Sequence, residues 1–338
     1  MSHLLFIDGH NILYRALHGS LTYDNDGKKR TDESKALETE FTAYKDAVLE
    51  SLFGLIKHFR PTDVIWAADF GKSWRYDIFP EYKAKRKASR EDDIINHEAW
   101  KKVTNEFFPH LMYAFPNIRF IHADRAEGDD VIGVGVAEFG GNYNKISLIS
   151  SDEDLLQLHT SNKITQWKYN STHKKYTQVT TADPVLSREV KIIAGDTSDS
   201  IPNMRVGTGP AGAVDLLAEG FDEWANKQAN KDVTKLLKEN NELPNTDEFR
   251  SEKMAELIET WKSRIEFNRQ LIDMRMIPEW VRERIIMAIK TYQVRPMPVA
   301  DRETEFNLFN FFRYHKTIRA MDQWDAVAPF FAAINRGK

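Results

Sequence analysis

The sequence contains no cysteine, which excludes a disulfide framework and thiolate ligation of zinc. It has no run of eighteen apolar residues, and its first residues, MSHLLFID, enter an apolar stretch without a basic leader region or a small-residue cleavage site. A membrane span and a secretory leader are therefore not expected, and a reducing cytoplasm is the expected compartment. An excess of one charge is also missing: 47 Lys and Arg stand against 51 Asp and Glu, a formal net charge of −4. Such a sum hides a basic binding face and an acidic site that cancel, so the positions of the charges carry the information. No internal repeat or low-complexity tract occurs. What remains, 41% hydrophobic and 29% charged over 338 residues, suits an enzyme with one sizeable core and a smaller lobe.

Short apolar or β-branched runs at LLFID, VIWAAD, IRFIHA and ISLISSD alternate with amphipathic stretches such as Phe41 to Phe59 and Val131 to Phe139. That alternation predicts an α/β domain, a parallel sheet with helices on both faces. From about Thr181 the β signal fades, while Val233 to Leu237, Glu248 to Leu271 and Glu279 to Tyr292 read as helices. The expected division is an α/β domain over 1–180 and a helical lobe over 181–338. Between VIWAAD and IRFIHA lies Tyr82 to Phe108, with a basic start from Lys83 to Arg90 and an acidic middle at Glu91-Asp92-Asp93. An insertion of this kind near strand ends is a candidate substrate-contacting element.

In an open parallel sheet, ligands bind outside the carboxyl ends of the strands. Those ends are acidic here: Asp8 closes LLFID, Asp69 closes VIWAAD, Glu127, Asp129 and Asp130 follow IRFIHA, and Asp152 and Asp154 follow ISLIS. Asp196 and Asp199 sit in GDTSDSIP. One Asp at a strand end is ordinarily a helix cap or a turn residue. A whole set is different, because two carboxylates about 4 Å apart repel by roughly 4 kcal/mol at an effective dielectric near 20, and cations must offset this. All-oxygen ligation selects magnesium or manganese over zinc. Two such ions activate water, stabilise a leaving oxygen and neutralise a phosphodiester.

These residues fall in FIDGHN (Phe6 to Asn11), AADFGKSWR (Ala67 to Arg75), FPEYKAKR (Phe79 to Arg86), AEGDD (Ala126 to Asp130), SSDEDLLQL (Ser150 to Leu158) and GDTSDSIP (Gly195 to Pro202), with FNRQLIDMRMIP (Phe267 to Pro278) further on. In order and spacing the chain resembles the bacteriophage 5′-nucleases, flap endonucleases and phage RNase H, related to the 5′-nuclease domain of bacterial DNA polymerase I. The resemblance implies a resolvase-like (PIN-like) domain with two Mg2+ ions, replaceable by Mn2+. One lies near Asp8, Asp69, Glu127, Asp129 and Asp130, the other near Asp154, Asp196 and Asp199, with Asp152 between. It makes Lys83 the electrostatic catalyst at the scissile phosphate, Arg86 a phosphate clamp and Tyr82 a base-stacking residue. It identifies Ile201 to Ala213 as a helix-three-turn-helix element whose Gly207 and Gly209 let backbone amides approach phosphates. Ala211 stands where a lysine is common, and the segment is one residue longer before the glycines. Both departures weigh against the potassium ion (K+) this element often holds.

The implied activity is removal of RNA primers and 5′ flaps from branched or nicked DNA and RNA–DNA hybrids. The implied setting is a monomer in a host cytoplasm, with a replication clamp or single-strand DNA-binding protein as a further partner class. Two rivals are a DNA-binding protein with a degenerate metal site, against which the full set of acids argues, and a small-molecule phosphatase, which leaves the basic insertion unexplained. TYDNDGKKRTDE imitates a calcium loop but carries Thr22 at the first ligand position and reads as a turn. His10, His97, His110 and His122 show no zinc spacing. Trp66 is expected in the core and Trp74 toward DNA, while the aromatic stretch Phe306 to Thr317 is expected to pack on the body of the protein.

Overall fold

The computed structural model describes residues 1–22, 37–85, 103–115, 117–292 and 308–333. Six strands form one sheet: β1 (His3–Asp8), β2 (Asp63–Ala67), β3 (Ile118–Ile121), β4 (Lys145–Ile149), β5 (Ile164–Asn170) and β6 (Lys175–Val179), in the order β3-β2-β1-β4-β5-β6. The first five pair in parallel, with β1 between β2 and β4. β6 departs from the expected parallel arrangement, returning antiparallel to β5. The turn Ser171 to Lys174 is short enough for a hairpin, whereas a parallel return needs a crossover of a dozen or more residues.

Leu4, Leu5, Phe6 and Ile7 are all fully buried, as a strand covered on both faces requires. Leu5 and Ile7 join the core beneath α1 (Gly9–Thr22) and α2 (Leu37–Phe59). Phe6 faces the other way, onto α5 (Gly128–Phe139), which follows α3 (Arg75–Ile78) and α4 (Phe108–Ala114) in the chain. A Cβ on Gly135 of α5 would lie 2.7 Å from the Phe6 ring, so the close helix–sheet approach depends on that glycine.

The expected split at 180/181 is replaced by an interleaved one. The first compact unit takes the described residues of Met1–Trp74, Ser89–Thr180 and Pro278–Lys338; the second takes Arg75–Ala88 and Thr181–Ile277. The chain after Pro278 returns to the sheet because its apolar faces are completed there. Helix Glu279–Lys290 packs on α5, with Arg282 bonded to Glu138 at 2.7 Å, and the Tyr292 hydroxyl donates to the Ile118 carbonyl at 3.2 Å. The aromatic C-terminal stretch packs as expected. Phe311 and Phe312 are buried, and Phe53 of α2 meets Phe312, Trp324 and Phe331 edge-on. Each such ring contributes about 2 kcal/mol by burial. Among the described residues no helix is long and apolar enough to cross a membrane.

The second unit is built on α6 (Pro184–Ala194), α7 (Pro210–Glu219), α8 (Phe221–Glu239) and α9 (Asp247–Ile272). Ile193, Met204, Ala213, Leu216, Trp224 and Trp261 form its main core. A smaller cluster gathers Tyr82, Ile192, Ile201, Leu271 and Ile272.

Candidate metal centre and nucleic-acid interface

The strand order reverses at β1, where the chain builds β2 and β3 on one side and then β4 on the other. This switch point is where an α/β sheet opens a crevice at its carboxyl edge. Asp8 ends β1, Asp69 follows β2, Glu127 and Asp129 open α5 after β3, and Asp152 and Asp154 follow β4. The rim is organised by hydrogen bonds. Asp8 accepts from the Asn11 amide at 3.0 Å and from the Ser150 hydroxyl at 2.7 Å. Asp69 Oδ1 accepts from the Gly128 amide at 2.6 Å and lies 3.7 Å from His10 Nδ1. A Cβ at Gly128 would stand 3.2 Å from that oxygen, so the helix start must be small for Asp69 to reach it. Asp152 caps the turn Glu153–Leu158, accepting from the Asp154 amide at 2.9 Å.

These groups crowd one another. Burial first, and then the charges of Asp152, Asp8, Asp69 and Glu127, push the Asp129 carboxyl well above the usual carboxylate range. Burial, with the charge of Asp69 added, likewise raises Asp8 against the pull of Ser150 and Asn11. The donor set therefore fits a hard divalent cation, being oxygen-only, acidic and short of positive charge. Among the described residues no three His, Asp or Glu side chains stand converged on a single ion position. The Asp8, Asp69 and Asp152 oxygens accept from nearby amides and hydroxyls.

Two expectations are corrected on this rim. Asp130 is fully buried, accepting from the Glu127 amide at 3.0 Å as the N3 member of a capping box and from the Trp74 indole at 3.1 Å. Its carboxylate positions the helix start instead of facing the rim. Trp74, expected toward DNA, is 2% exposed and turned onto Asp130. Trp66 is in the core as expected.

Sequence reasoning missed the residues that tie the rim together. Ser150 is buried, bridging Asp8 to the Asp152 amide at 3.0 Å. Buried Gln166 of β5 donates to the carbonyls of Asp152 at 2.6 Å and Ser150 at 3.2 Å. Ser150 had a signal, its place two residues before Asp152; Gln166 lay in a strand the periodicity did not register.

The second unit carries the other predicted residues. Asp196 pairs with Lys191 at 2.9 Å and accepts from the Ser198 amide and hydroxyl, each at 2.7 Å. Burial opposes its ionisation, yet Lys191 and Ser198 outweigh it and hold the carboxyl down to about 2. Asp199 accepts from the Tyr82 hydroxyl at 3.0 Å. Tyr82 is 3% exposed among Ile192, Ile201, Leu271 and Ile272, which corrects its assignment to base stacking. Lys83 follows in left-handed backbone (φ 57°), its amide donating to the Asp199 carbonyl at 2.8 Å and its ammonium 4.9 Å from the Tyr82 ring. A non-glycine residue held there is a strained position of the sort found at functional sites. Arg86, most of the 82–108 insertion and the calcium-loop look-alike lie outside the described residues.

The loop from Gly195 to Gly209 joins α6 to α7. Gly195 is obligatory: its φ is 71°, and a Cβ would meet Pro202 at 2.5 Å. Gly207 is also left-handed (φ 85°) but exposed, with open space around it, and Gly209 caps α7.

Comparison with known proteins agrees with this architecture. Ribonuclease H of Enterobacteria phage T4 is 26% identical over 237 residues, 70% of this chain and 72% of that protein. A 5′-3′ exonuclease of Bacillus subtilis (strain 168) is 29% identical over 225 residues, 64% of this chain and 70% of that one. The structure of a bacteriophage T5 flap endonuclease, in a pseudo-enzyme-product complex with DNA and metal ions, superposes with a TM-score of 0.54 at 19% identity, covering 94% of this chain and 99% of that one, and shows the same fold. The sequence model described as "5′-3′ exonuclease, N-terminal resolvase-like domain" matches residues 3–188, and the chain belongs to that family.

Proposed function

We propose that this 5′-nuclease is a structure-specific, Mg2+-dependent phosphodiesterase that cleaves DNA and RNA–DNA hybrids at or near 5′ ends, leaving 5′-phosphate and 3′-hydroxyl termini. The observation that carries the reading is the environment of Asp129, where four other carboxylates press on one half-buried acid at the start of α5. Asp8, Asp69, Asp129 and Asp152, with Glu127 and Asp154, are the proposed ligands of the first unit. Asp196 and Asp199 are those of the second. Bound divalent ions supply charge neutralisation and water activation for an in-line displacement at phosphorus.

The chain's own residues then have distinct tasks. Ser150, Asn11 and Gln166 hold Asp8 and the Asp152 turn in place, so that the rim is preorganised. Lys83 presents a cation to the phosphate undergoing attack. Its left-handed backbone and its bond to Asp199 fix where the side chain starts, and its ammonium lies 4.9 Å from the Tyr82 ring. The exposed Gly207, with half-buried Gly209 behind it at the start of α7, is the proposed contact to a duplex backbone. The phage and bacterial relatives are named as exonucleases and RNase H, and the phage T5 structure holds metal ions and DNA, which supports the same substrates here.

The test is cleavage of a 5′-labelled flap and of an RNA–DNA hybrid with magnesium, with manganese and with chelator. Short 5′ products that need the metal are the expected result. Tight flap binding with no cleavage under any metal would mark a degenerate DNA-binding protein instead. Lys83→Ala is expected to slow cleavage about 100-fold while leaving binding nearly intact.

A further inference from the structure

The loops after β2 and β3 are zipped together by backbone bonds. Ala68 donates to Ile121 at 3.0 Å, Phe70 to Ala126 at 3.2 Å, Arg125 to Phe70 at 3.1 Å and Trp74 to Arg125 at 2.9 Å. This zipper positions Asp69 and Glu127, and it also fixes a group of side chains that the carboxylate rim does not use. Phe70, adjacent to Asp69, is 50% exposed, and its ring lies against His122 with centroids 4.6 Å apart. Arg125 sits in left-handed backbone (φ 67°), with its guanidinium 5.7 Å from the Trp280 ring. Arg284 approaches the same ring at 4.8 Å and pairs with Asp124 at 2.8 Å. Trp280 itself is 38% exposed.

Surface aromatics taken singly need no explanation. Here two exposed aromatic groups, one of them paired with an imidazole, accompany two guanidiniums drawn to a single indole, beside an acidic rim. Acids repel a polyanion, so a substrate strand needs cations and stacking faces close to the rim to be held there. Strands without fixed sequence are bound by this pairing of aromatic platforms with positive charge.

We propose that Phe70, His122, Arg125, Trp280 and Arg284 form a binding site for an unpaired nucleic-acid strand. A base stacks on the Phe70–His122 pair, and Arg125 and Arg284, steadied by Trp280, take backbone phosphates. The site rests on the nuclease reading above and deepens it, placing the unpaired arm of a flap one residue from Asp69. It also assigns a role to the helix Glu279–Lys290, which carries both Trp280 and Arg284 back to the sheet unit.

The test uses the full chain in chelator, where no cleavage occurs. Fluorescence anisotropy is read on a 5′-flap with a single-stranded arm and on a blunt duplex of the same paired sequence. Phe70→Leu and Trp280→Leu are each expected to weaken flap binding about tenfold with blunt-duplex binding unchanged, and Phe70→Tyr to restore it. Arg284→Gln is expected to reduce the slope of log affinity against log salt by about 0.7. A 2-aminopurine in the arm reports stacking directly, and its quenching on binding should fall in Phe70→Leu. Flap binding like that of the unaltered chain in folded Leu variants, or equal losses on flap and blunt duplex, would overturn the site. Failure of the unaltered chain to cleave in magnesium, with the flap-specific losses intact, would overturn the nuclease reading and leave this site standing.

Discussion

The acids of the carboxylate rim and the paired acids of the helical unit have opposite surroundings. On the rim, burial and neighbouring carboxylates raise Asp8 and Asp129. In the helical unit the acids face cations: Asp196 with Lys191, Glu189 with Arg269, Asp232 with Arg205, and Asp273 with Arg275 and Arg188. Asp196 is held at about 2, and Asp273 is likewise lowered, burial working against both and their basic partners prevailing. A carboxylate paired with a base stabilises the fold, whereas carboxylates packed against one another strain it and persist where function needs them. Asp196 belongs to both descriptions: it is a proposed ligand that Lys191 already satisfies, so binding a cation there means displacing an ammonium.

The sharpest way to break this comparison is Asp129→Asn. Cleavage should fall about 1000-fold, while the metal-free protein should melt at a higher temperature because a repulsive charge has gone. A drop in melting temperature would make Asp129 a stabilising group like those of the helical unit. Asp273→Asn should do the reverse, costing about 2 kcal/mol in urea unfolding by removing a buried carboxylate that pairs with both Arg275 and Arg188, Arg188 keeping Glu189 alone, and leaving the metal dependence of cleavage unchanged.

Ser150→Ala is a smaller perturbation. It removes the bridge between Asp8 and the Asp152 turn without touching a carboxylate, and should lower kcat about 10- to 100-fold with a raised magnesium requirement. An unchanged metal titration would show that the rim does not need its hydroxyl link.

The smallest effect concerns acid stability. His315 is buried in contact with His110 (3.0 Å), and burial, with Lys45 and His110, lowers its imidazole to about 3. The unfolded chain binds this proton near pH 6.5 and the folded chain does not, so stability is full above about 6.5 and is lost as pH falls toward 3. His315→Gln should flatten that loss by up to about 1.4 kcal/mol per pH unit, read as the difference in melting temperature between pH 7 and pH 5. Asp273 acts with the same sign but lower in pH. Its carboxyl is depressed, so its contribution is present above about 4 and lost only below that.

The periodicity of the chain already shows β1 to β4 and most of the long helices, because strands buried on both faces are continuously apolar and long helices repeat their apolar positions. The β5–β6 hairpin does not stand out as a continuous apolar run: Trp167, Tyr169 and Tyr176 alternate with polar residues, lysines among them, as in a strand covered on one face. The acidic rim was legible because strand ends are marked in sequence and a parallel sheet brings them to one edge. What each acid does there was not legible: Asp129 and Asp130 are neighbours in sequence, yet one faces the crowded rim and the other is buried under Trp74 as a cap.

By itself, then, the sequence determined the α/β class, the family and the list of acids, since these depend on local pattern and order along the chain. Only the tertiary structure decided that Asp130, Trp74 and Tyr82 are buried supports, that Ser150 and Gln166 hold the rim, and that the chain after Pro278 rejoins the sheet. Those outcomes depend on which long-range partner satisfies each buried polar group and each apolar face, a choice that the order of residues along one chain does not display.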